Sequence, residues 1–480
     1  EIALTPQLAG RFRARFGDDV ALLHSGLSHA ERHGEWNRLR SGDARICVGV
    51  RSAIFAPVED LGVIAVDEEH DPSFKQEDGP AYHARDLAVV RGRIEDAVVV
   101  LGSATPSLET LENATRGRYR RLELPARIDD RPLPDVRLVD LSRLRRGGKD
   151  VGPGLVSPEL ADALASTVEA GQQAILFLNR RGYQTLVLCE TCGEEAHCTE
   201  CSVSLTHHAR RGILLCHTCG HTERMTTACP SCGGVRLGLG VGTEQVEEAV
   251  RAAVPRARVA RLDRDAVSSA DDTAALLARF ARRELDVLVG TQMVTKGHDF
   301  PGVTLVGVVL ADTALSLPDF RAAERTFQLL TQVAGRAGRG KDPGRVLVQT
   351  FHPSTPAISF AAAHDYASFA ANELEKRRRW GFPPYARLLA VRIEGSDDGA
   401  RRAAEALALA ARPLLGPELS MLGPAPAPIE RIRGRSRWQV LFRAAAAPAL
   451  FQVHGALARV ARRPPGGASI RFDMDPHAMM

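Results

Sequence analysis

The sequence has no long hydrophobic run and no export signal. Its longest strongly apolar stretch, residues 302–311, is about ten residues long, whereas a membrane-spanning helix needs roughly 18 to 20 apolar residues. The first residues lack the basic segment and apolar core of a secretory signal. With 44% apolar and 25% charged residues, a disordered or fibrous chain is excluded. These features predict a globular protein with no membrane span.

A large excess of charge of one sign is also missing. The 62 Lys and Arg residues against 58 Asp and Glu residues give a net charge of +4, so composition alone does not predict a uniformly basic surface for nucleic acid. At about 150 residues per domain, the 480 residues predict about three domains. Binding partners must therefore be inferred from motifs.

The cysteines are few but clustered. Of nine, Cys47 stands alone and is predicted to be a small buried apolar residue. The other eight form four Cys-x-x-Cys pairs, typical of metal sites in a reducing compartment, and eight thiolates suffice for two tetrahedral zinc sites. Adjacent pairing would leave five residues between the first two pairs. Nested pairing would place 14 residues between the second and third, near the usual gap of about 15 to 20.

Apolar runs alternate with amphipathic stretches in two parts of the chain, which predicts two α/β segments. Runs at 44–50, 62–66 and 97–101 predict buried parallel strands. The expected domains are residues 1–124 for the first segment, 125–165 for an exposed linker, 166–353 for the second segment with a cysteine-rich insertion at 186–237, and 354–480 for a small α+β C-terminal domain.

Acidic residues follow the predicted strand at 62–66. Asp67, Glu68, Glu69 and His70 come directly after it. A nucleoside triphosphatase needs one carboxylate to hold Mg²⁺ and a second to orient or deprotonate the attacking water. Acids that cap a following helix would explain this motif equally well when it is considered alone.

Two further motifs carry hydroxyl and guanidinium groups. Ser103 and Thr105 follow the next strand, where hydroxyls either link the acids to a neighbouring lobe or cap a helix. Arg336 and Arg339 lie three residues apart in a glycine-containing segment predicted to begin a helix. Guanidinium groups suit a transferring phosphate, and such arginines accelerate the reaction by about 10³ to 10⁵. A salt-bridged surface helix is the alternative.

The order of these motifs resembles helicase superfamily two. Segments 67–70, 102–105, 290–300 and 332–339 are similar to its motifs II, III, V and VI. Further segments, together with the cysteine-rich insertion, resemble the PriA family of primosomal replication-restart helicases over nearly the whole chain: residues 1–7, 23–26, 50–55, 175–182 and 240–245. The resemblance implies an α/β fold with two RecA-like parallel-sheet lobes, a double-zinc insertion in the second lobe and a small α+β C-terminal domain.

The resemblance also assigns roles to residues. Catalytic roles fall to Asp67, Glu68, Glu69, His70, Arg336 and Arg339, and ATP coupling to Ser103, Thr105, Gln332 and Gly335. Nested pairing is the family arrangement, with one zinc bound by Cys189, Cys192, Cys229 and Cys232 and the other by Cys198, Cys201, Cys216 and Cys219.

DNA contacts are expected in an aromatic-rich loop at 71–86, which in the family couples single-stranded DNA to hydrolysis, and at a basic hairpin at 431–438. Aromatic rings stack on bases and cations contact phosphates. In both segments the alternative is that the aromatic residues pack inside the domain. The basic run at 375–380 is predicted to be an exposed helix face. The assigned DNA contacts are Arg51, Ser52, Phe74, Lys75, Tyr82, Arg85, Thr291, Gln292, Lys296, Arg435 and Trp438.

The implied cofactors are two Zn²⁺ per chain, Mg²⁺ and ATP. The implied activity is ATP-dependent 3′-to-5′ unwinding of DNA at stalled or collapsed forks, followed by primosome assembly that reloads the replicative helicase. The implied partners are forked and single-stranded DNA, the single-stranded-DNA-binding protein and helicase-loading proteins. A monomeric, cytoplasmic bacterial protein at replication forks is expected.

One family motif is missing. No G-x-x-x-x-G-K-[ST] phosphate loop occurs in the 480 residues, and the first residue is Glu1. This predicts a fragment that lacks part of the ATP site and is inactive alone. The alternative function is a non-catalytic zinc-bearing platform for DNA and partners, in which the remaining motifs only keep the lobes folded.

Overall fold

The fold is taken from a computed structural model, which describes residues 5–479 apart from residues 25, 78, 126–131, 147–155, 179–185, 190–193, 195, 197, 200–204, 209–211, 217–218, 240–241, 264–265, 268, 292–293, 295–299, 316 and 341. The chain divides into two compact units, one ending at Tyr119 and the other beginning at Arg120. Among the described helices, none has the length and apolar character required to cross a bilayer.

The first unit is built from short strands and helices. Its elements are α1 (Thr5–Phe16), β1 (Val20–Leu23), α2 (His29–Ser41), β2 (Ile46–Gly49), β3 (Val63–Val66), β4 (Lys75–Gln76), β5 (Tyr82–His83), α3 (Ala84–Ile94), β6 (Val98–Leu101) and α4 (Leu108–Thr115). Strand β1 pairs in parallel with β2, and β3 with β6, whereas β4 and β5 form an antiparallel hairpin. The three strands predicted in this unit are therefore present and parallel.

The expectation that all three strands are buried is wrong for β3 and β6. Val63, Val98 and Val100 are 60%, 62% and 50% exposed. Helix α3 contacts both strands, and one helix can cover only one face of a parallel sheet, which needs helices on both faces for full burial. Apolar composition predicted the strands correctly, but burial depends on what packs against each face.

The second unit contains the larger sheet, the insertion and the C-terminal domain. Its elements are β7 (Asp135–Asp140), α5 (Leu141–Arg146), α6 (Pro158–Glu169), β8 (Gln173–Phe177), β9 (Leu186–Cys189), β10 (Thr206–His208), β11 (Ile213–Leu215), β12 (Thr222–Arg224), β13 (Arg236–Leu239), α7 (Thr243–Ala253), β14 (Val259–Leu262), α8 (Ala270–Ala281), β15 (Val287–Gly290), β16 (Val303–Val308), α9 (Asp312–Leu315), α10 (Ala322–Ala334), β17 (Arg345–Thr350), α11 (Pro356–Ala362), α12 (Tyr366–Trp380), β18 (Arg387–Gly395), α13 (Asp397–Ala411), β19 (Leu419–Ile432), β20 (Arg435–Ala444), α14 (Ala447–Arg462) and β21 (Ser469–Met474).

Six parallel strands form the main sheet, in the order β14-β15-β8-β16-β17-β7. Every residue of β8, β15 and β16 is buried, as expected for central strands with helices on both faces. Two apolar clusters lie on the two sides of this sheet, around Phe177 and Leu176 respectively. The predicted α/β class is confirmed.

Part of the expected linker at 125–165 belongs to this sheet instead. Strand β7 pairs with β17 over its whole length. The Ser142 hydroxyl donates to the Phe351 carbonyl, and the Ser157 backbone N–H donates to the Gln349 side chain. The prediction overlooked β7 because one short strand lies among prolines and arginines, and its burial is supplied by β17, which is remote in sequence.

The cysteine-rich insertion lies between β8 and α7, as predicted. Strand β9 pairs with β13, and β10, β11 and β12 form a small antiparallel sheet. Its core is small and includes Val187, Leu205, Leu214 and two cysteines. A module with so little apolar core is of the kind that bound metal stabilises.

The C-terminal domain is an antiparallel sheet in the order β19-β20-β18-β21. Helices α13 and α14 pack on one face, around Leu407, Phe442 and Leu457. The opposite face packs around Met479 together with Phe320 and Phe382. The α+β class predicted for this domain is therefore confirmed.

Candidate functional site

Asp67 and Glu68 lie at the carboxyl end of β3, in a tight turn. The Asp67 carboxylate accepts the Glu68 backbone N–H at 2.9 Å, and Glu68 has a φ of 48°, a left-handed conformation uncommon for a residue with a side chain. Asp67 is exposed and the Glu68 side chain is 47% exposed. Both carboxylates are therefore accessible, and strained backbone of this kind is often found at functional sites.

Hydrogen bonds join this turn to the segment after β6. The Glu69 backbone N–H donates to the Gly102 carbonyl at 3.0 Å, and His70 Nδ1 lies 2.7 Å from the Ser103 hydroxyl. The same His70 nitrogen is 3.6 Å from a Glu68 carboxylate oxygen. The structure thus places His70 within reach of both Glu68 and Ser103. Thr105, by contrast, is only 3% exposed.

Glu69 does not reach the exposed carboxylates, which corrects its expected catalytic role. It is fully buried and accepts hydrogen bonds from the Ser107 backbone, the Thr110 hydroxyl and Arg85 Nη1 at 2.6 to 3.1 Å. Burial opposes the charge of Arg85, but Asp86 and Glu69 outweigh it and raise the Arg85 pKa. Glu69 is therefore an internal anchor for α3 and α4, and no sequence signal distinguished it from its neighbours.

The aromatic-rich loop forms the β4–β5 hairpin, and several of its expected DNA contacts face inward. Arg85 and Lys75 are 6% and 7% exposed. Arg51 Nη1 donates to the carbonyls of Ser73 and Lys75 at 3.0 and 2.7 Å, so its guanidinium holds the loop. Burial therefore argues against direct DNA contact by Lys75 and Arg85.

The aromatic side chains of this loop are partly accessible. Tyr82 packs edge-on against Phe55 with ring centroids 5.1 Å apart, and both Tyr82 and Phe74 are half-buried. Ser52 is exposed. Of the expected contacts in this unit, Ser52, Phe74 and Tyr82 thus keep surface available for DNA.

The segment with Arg336 and Arg339 lies after a helix and does not begin one. Helix α10 ends at Ala334, and the arginines occupy the following turn, where Arg339 Nε donates to the Gly335 carbonyl at 2.9 Å. Both arginines and Gln332 are half-buried. A Cβ at Gly338 would lie 2.5 Å from the Gly344 backbone, so this glycine permits the close approach of the two chain segments.

The expected DNA contacts after β15 fall mostly outside the described residues. Thr291 follows β15 directly and is half-buried. Gln292 and Lys296 lie outside the described part of the chain. Only Thr291 can therefore be placed, at the carboxyl end of a central strand, where α/β sheets present their ligand-binding residues.

The thiols of Cys189, Cys229 and Cys232 form one cluster, within 4.8 Å of one another. Cys189 Sγ and Cys232 Sγ are 3.5 Å apart. Sulfur atoms bound at about 2.3 Å to one tetrahedral zinc would be about 3.8 Å apart, so the spacing fits zinc. Gly233, which follows Cys232, has a φ of 72° and donates its N–H to the Cys229 carbonyl.

Cys198, Cys216 and Cys219 form the second cluster. Cys198 Sγ and Cys219 Sγ are 3.7 Å apart, and Gly220 repeats the turn, with a φ of 85° and a hydrogen bond to the Cys216 carbonyl. Both clusters have the nested grouping. The two remaining expected ligands, Cys192 and Cys201, lie outside the described residues.

Two of the four arginines in the basic hairpin between β19 and β20 are paired with acids. Arg431 pairs with Asp397 at 2.5 Å and Arg437 with Glu394 at 3.0 Å. Arg435 is exposed and donates to the Glu394 carbonyl. Trp438 packs against the core of the domain, as in the alternative interpretation. This surface therefore offers less free positive charge than its sequence indicates.

A buried charged cluster joins α10 and α12, and no sequence pattern predicted it. Arg377 Nη2 lies 2.7 Å from Glu324 Oε2, and Arg377 Nε lies 3.3 Å from Glu373 Oε1. Arg321 also approaches Glu324, at 3.7 Å. Burial raises the Glu373 pKa, and Arg377 partly offsets this effect. Arg377 lies in the basic run predicted to be an exposed face, yet it is 2% exposed.

Three segments match known families. Residues 378–477 match the Primosomal protein N C-terminal domain, residues 198–224 the PriA DNA helicase Cys-rich region domain, and residues 242–341 the Helicase conserved C-terminal domain. Among solved structures, the helicase MrfA bound to DNA is similar at 12% identity, with a TM-score of 0.41, over 77% of this chain and 41% of that one.

Curated relatives match over most of the sequence. Replication restart protein PriA of Bacillus subtilis is 45% identical over 92% of this chain, and that of Synechocystis is 43% identical over 99%. The chain spans 55% and 58% of the lengths of these two relatives. PriA of Treponema pallidum is 43% identical, over 99% of this chain and 71% of the relative. The resemblance found in the sequence is thus confirmed, and the chain belongs to the PriA family of replication restart proteins.

Proposed function

We propose that the chain is part of an ATP-dependent 3′-to-5′ DNA helicase that recognises stalled or collapsed forks, unwinds DNA and starts primosome assembly to reload the replicative helicase. Its partners in this proposal are forked and single-stranded DNA, single-stranded-DNA-binding protein and helicase-loading proteins. Family membership supports the general activity. The polarity, fork recognition and partners are carried over from the family resemblance.

The grouping of Glu68, His70 and Ser103 carries the proposal. Asp67 would hold Mg²⁺, which neutralises phosphate charge, and Glu68 would accept a proton from the attacking water. His70 lies 3.6 Å from Glu68 and 2.7 Å from Ser103. A change in the position of Ser103 can therefore be transmitted to Glu68 through the His70 side chain. Arg336 and Arg339 are proposed to stabilise the transferring phosphate.

The cysteine clusters support two zinc ions with a structural role. Each cluster has three described thiols at a spacing that fits tetrahedral zinc. With Cys192 and Cys201 as the fourth ligands, all coordination positions would be occupied by protein. Zinc held in this way stabilises the fold and leaves no position for a reacting water.

The test is Glu68→Gln in the longest polypeptide that the gene encodes. Loss of the proton acceptor should lower single-stranded-DNA-stimulated ATP hydrolysis by about 10² to 10⁴, with unchanged DNA binding. Glu59→Gln is the matched control, because Glu59 is an exposed carboxyl in the same unit. Turnover above a tenth of the original rate would reject Glu68 as the group that activates water.

The unsubstituted protein of the same experiment distinguishes the helicase proposal from the alternative, a non-catalytic platform. A platform without catalysis would bind DNA and show no hydrolysis before any substitution. For the 480-residue chain alone, which has no phosphate loop, we propose weak or absent ATP binding. Unwinding of partial duplexes with a 3′ or a 5′ single-stranded tail tests the polarity, and unwinding of the 5′-tailed duplex only would contradict it.

A further inference from the structure

A cluster of arginines and aromatic rings lies at the end of α12, in and after the basic run at 375–380, and the proposed function does not use it. We call it the α12 patch and define it by Arg378, Arg379, Trp380, Tyr385 and Arg443. Arg378, Arg379 and Trp380, all from α12, are exposed, and Tyr385 and Arg443 are half-buried. Trp380 is 38% exposed, which is high for an indole.

Each guanidinium of the patch is held near an aromatic ring. Arg378 stacks on Tyr385 at 4.6 Å and donates to its hydroxyl at 3.0 Å. Arg379 lies 5.8 Å from the Trp380 ring centroid. Arg443 donates to the Trp380 carbonyl and lies 5.9 Å from the Phe382 ring. Contacts of this kind restrict the rotamers of the arginines, so less entropy is lost when they bind a ligand.

The charge of the patch is not compensated by acids. In the part of the chain that the structure describes, Arg378, Arg379 and Arg443 form no ion pair with a carboxylate. The arginines at 431 and 437, in the hairpin favoured by the sequence, do pair with Asp397 and Glu394. One exposed acid, Glu375, precedes Arg379 by one helical turn. Within the described residues, all three arginines of the α12 patch thus lack a carboxylate partner, whereas only two of the four in the hairpin do.

A purely structural explanation accounts for only part of these features. Cations in the last turn of a helix interact favourably with its dipole, which explains why Arg378 and Arg379 occur before the αL residue Gly381. That effect requires neither an exposed indole nor Arg443, which comes from β20. Guanidinium groups beside accessible aromatic rings are the combination that binds single-stranded nucleic acid, with phosphates on the cations and bases on the rings.

We propose that the α12 patch is a binding surface for single-stranded DNA. The choice of DNA over RNA rests on the proposed function. The proposal itself concerns binding without ATP, so its failure would leave the Glu68→Gln prediction untouched, and the reverse also holds.

The test measures binding of the full chain to fluorescent oligothymidylate by anisotropy, across a salt series without ATP. Replacing Arg378, Arg379 and Arg443 by Gln should weaken binding at least tenfold. The slope of log K against log salt should become less steep by about 2, because each phosphate contact on a single strand contributes about 0.7. Trp380→Ala should weaken binding by about 5- to 150-fold, since stacking contributes about 1 to 3 kcal/mol per base.

Arg401→Gln is the control, because it removes one exposed arginine from α13 in the same domain. Arg379→Gln removes the same charge with no ion pair lost, so it tests the patch if the triple variant folds poorly. Equal weakening by Arg379→Gln and Arg401→Gln would overturn the proposal, since it would show a general charge effect. Displacement of the oligonucleotide by an equal charge concentration of oligoglutamate would also overturn it, in favour of an acidic peptide.

Discussion

Arg377 on α12 and Glu324 on α10 form a buried ion pair, with Nη2 and Oε2 2.7 Å apart and side chains only 2% and 5% exposed. Arg377 also approaches Glu373, and Arg321 approaches Glu324, so two arginines face two carboxylates. The pair lies near the start of α10, the helix that ends just before Arg336. It therefore anchors α10, which leads into the arginine turn, to the helix that carries the α12 patch.

Removing one partner of this buried ion pair should destabilise the folded chain. We expect Arg377→Met to lower the free energy of unfolding by about 3 to 5 kcal/mol, because it leaves the carboxylates of Glu324 and Glu373 buried without this arginine. The control is Arg401→Met, which breaks exposed pairs with Asp398 and Glu405 and should cost under about 1 kcal/mol. Calorimetric melting measures both. Equal losses of stability in the two variants would show that the buried ion pair contributes no more to stability than an exposed one.

Substitutions of Glu69 and Glu68 should affect different properties: Glu69 stability, and Glu68 ATP hydrolysis. Glu69→Ala leaves Arg85 buried without this partner, so we expect the first unit to lose about 3 to 5 kcal/mol of stability. Glu68→Gln should cost under about 1 kcal/mol, because Glu68 is about half exposed. Hydrogen exchange in α3 and α4 reports on this unit. Glu59→Gln, at an exposed acid of the same unit, is the control, and full protection in Glu69→Ala would contradict the anchoring role.

Metal analysis should find two zinc ions per chain. We expect Cys216→Ala to reduce the content to one, since the two thiol clusters share no residue, and Cys47→Ala to leave two. One zinc or none in the unsubstituted chain would reject the eight-ligand assignment. Loss of both ions in Cys216→Ala would mean that the two sites depend on each other for folding.

Cys47 should resist alkylation in the folded chain. The Cys47 side chain is half-buried, less than the sequence predicted, and desolvation raises the pKa of its thiol from 9.0 to about 12. The thiolate fraction at pH 8 therefore falls from about 10⁻¹ to about 10⁻⁴, and only the thiolate reacts. We expect iodoacetamide to modify Cys47 roughly 10³ times more slowly than in the denaturant-unfolded chain, as measured by mass spectrometry. Its reactivity should rise with pH up to about 12. Similar rates in the two states would contradict this burial.

Local patterns predicted three strands of the first unit and the main groups of residues. The strand at 63–66, the acids that follow it and the nested cysteine pairs are adjacent or regularly spaced, so backbone geometry and ligand number constrain them directly. Strand β7 was missed because its partner, β17, is about 200 residues away along the chain. A short strand without a strong local pattern can be recognised only from the sheet that receives it.

The sequence alone was sufficient to establish the α/β class, the position of the insertion and membership of the PriA family, because these depend on composition, spacing and motif order. The sequence could not show which of two chemically similar residues faces solvent. Glu68 and Glu69 are neighbours, yet one is accessible and the other fully buried; Arg377 and Arg379 share one basic run, yet only Arg379 is exposed. Burial depends on residues distant in the chain that pack against each side chain, and only the tertiary structure brings them together.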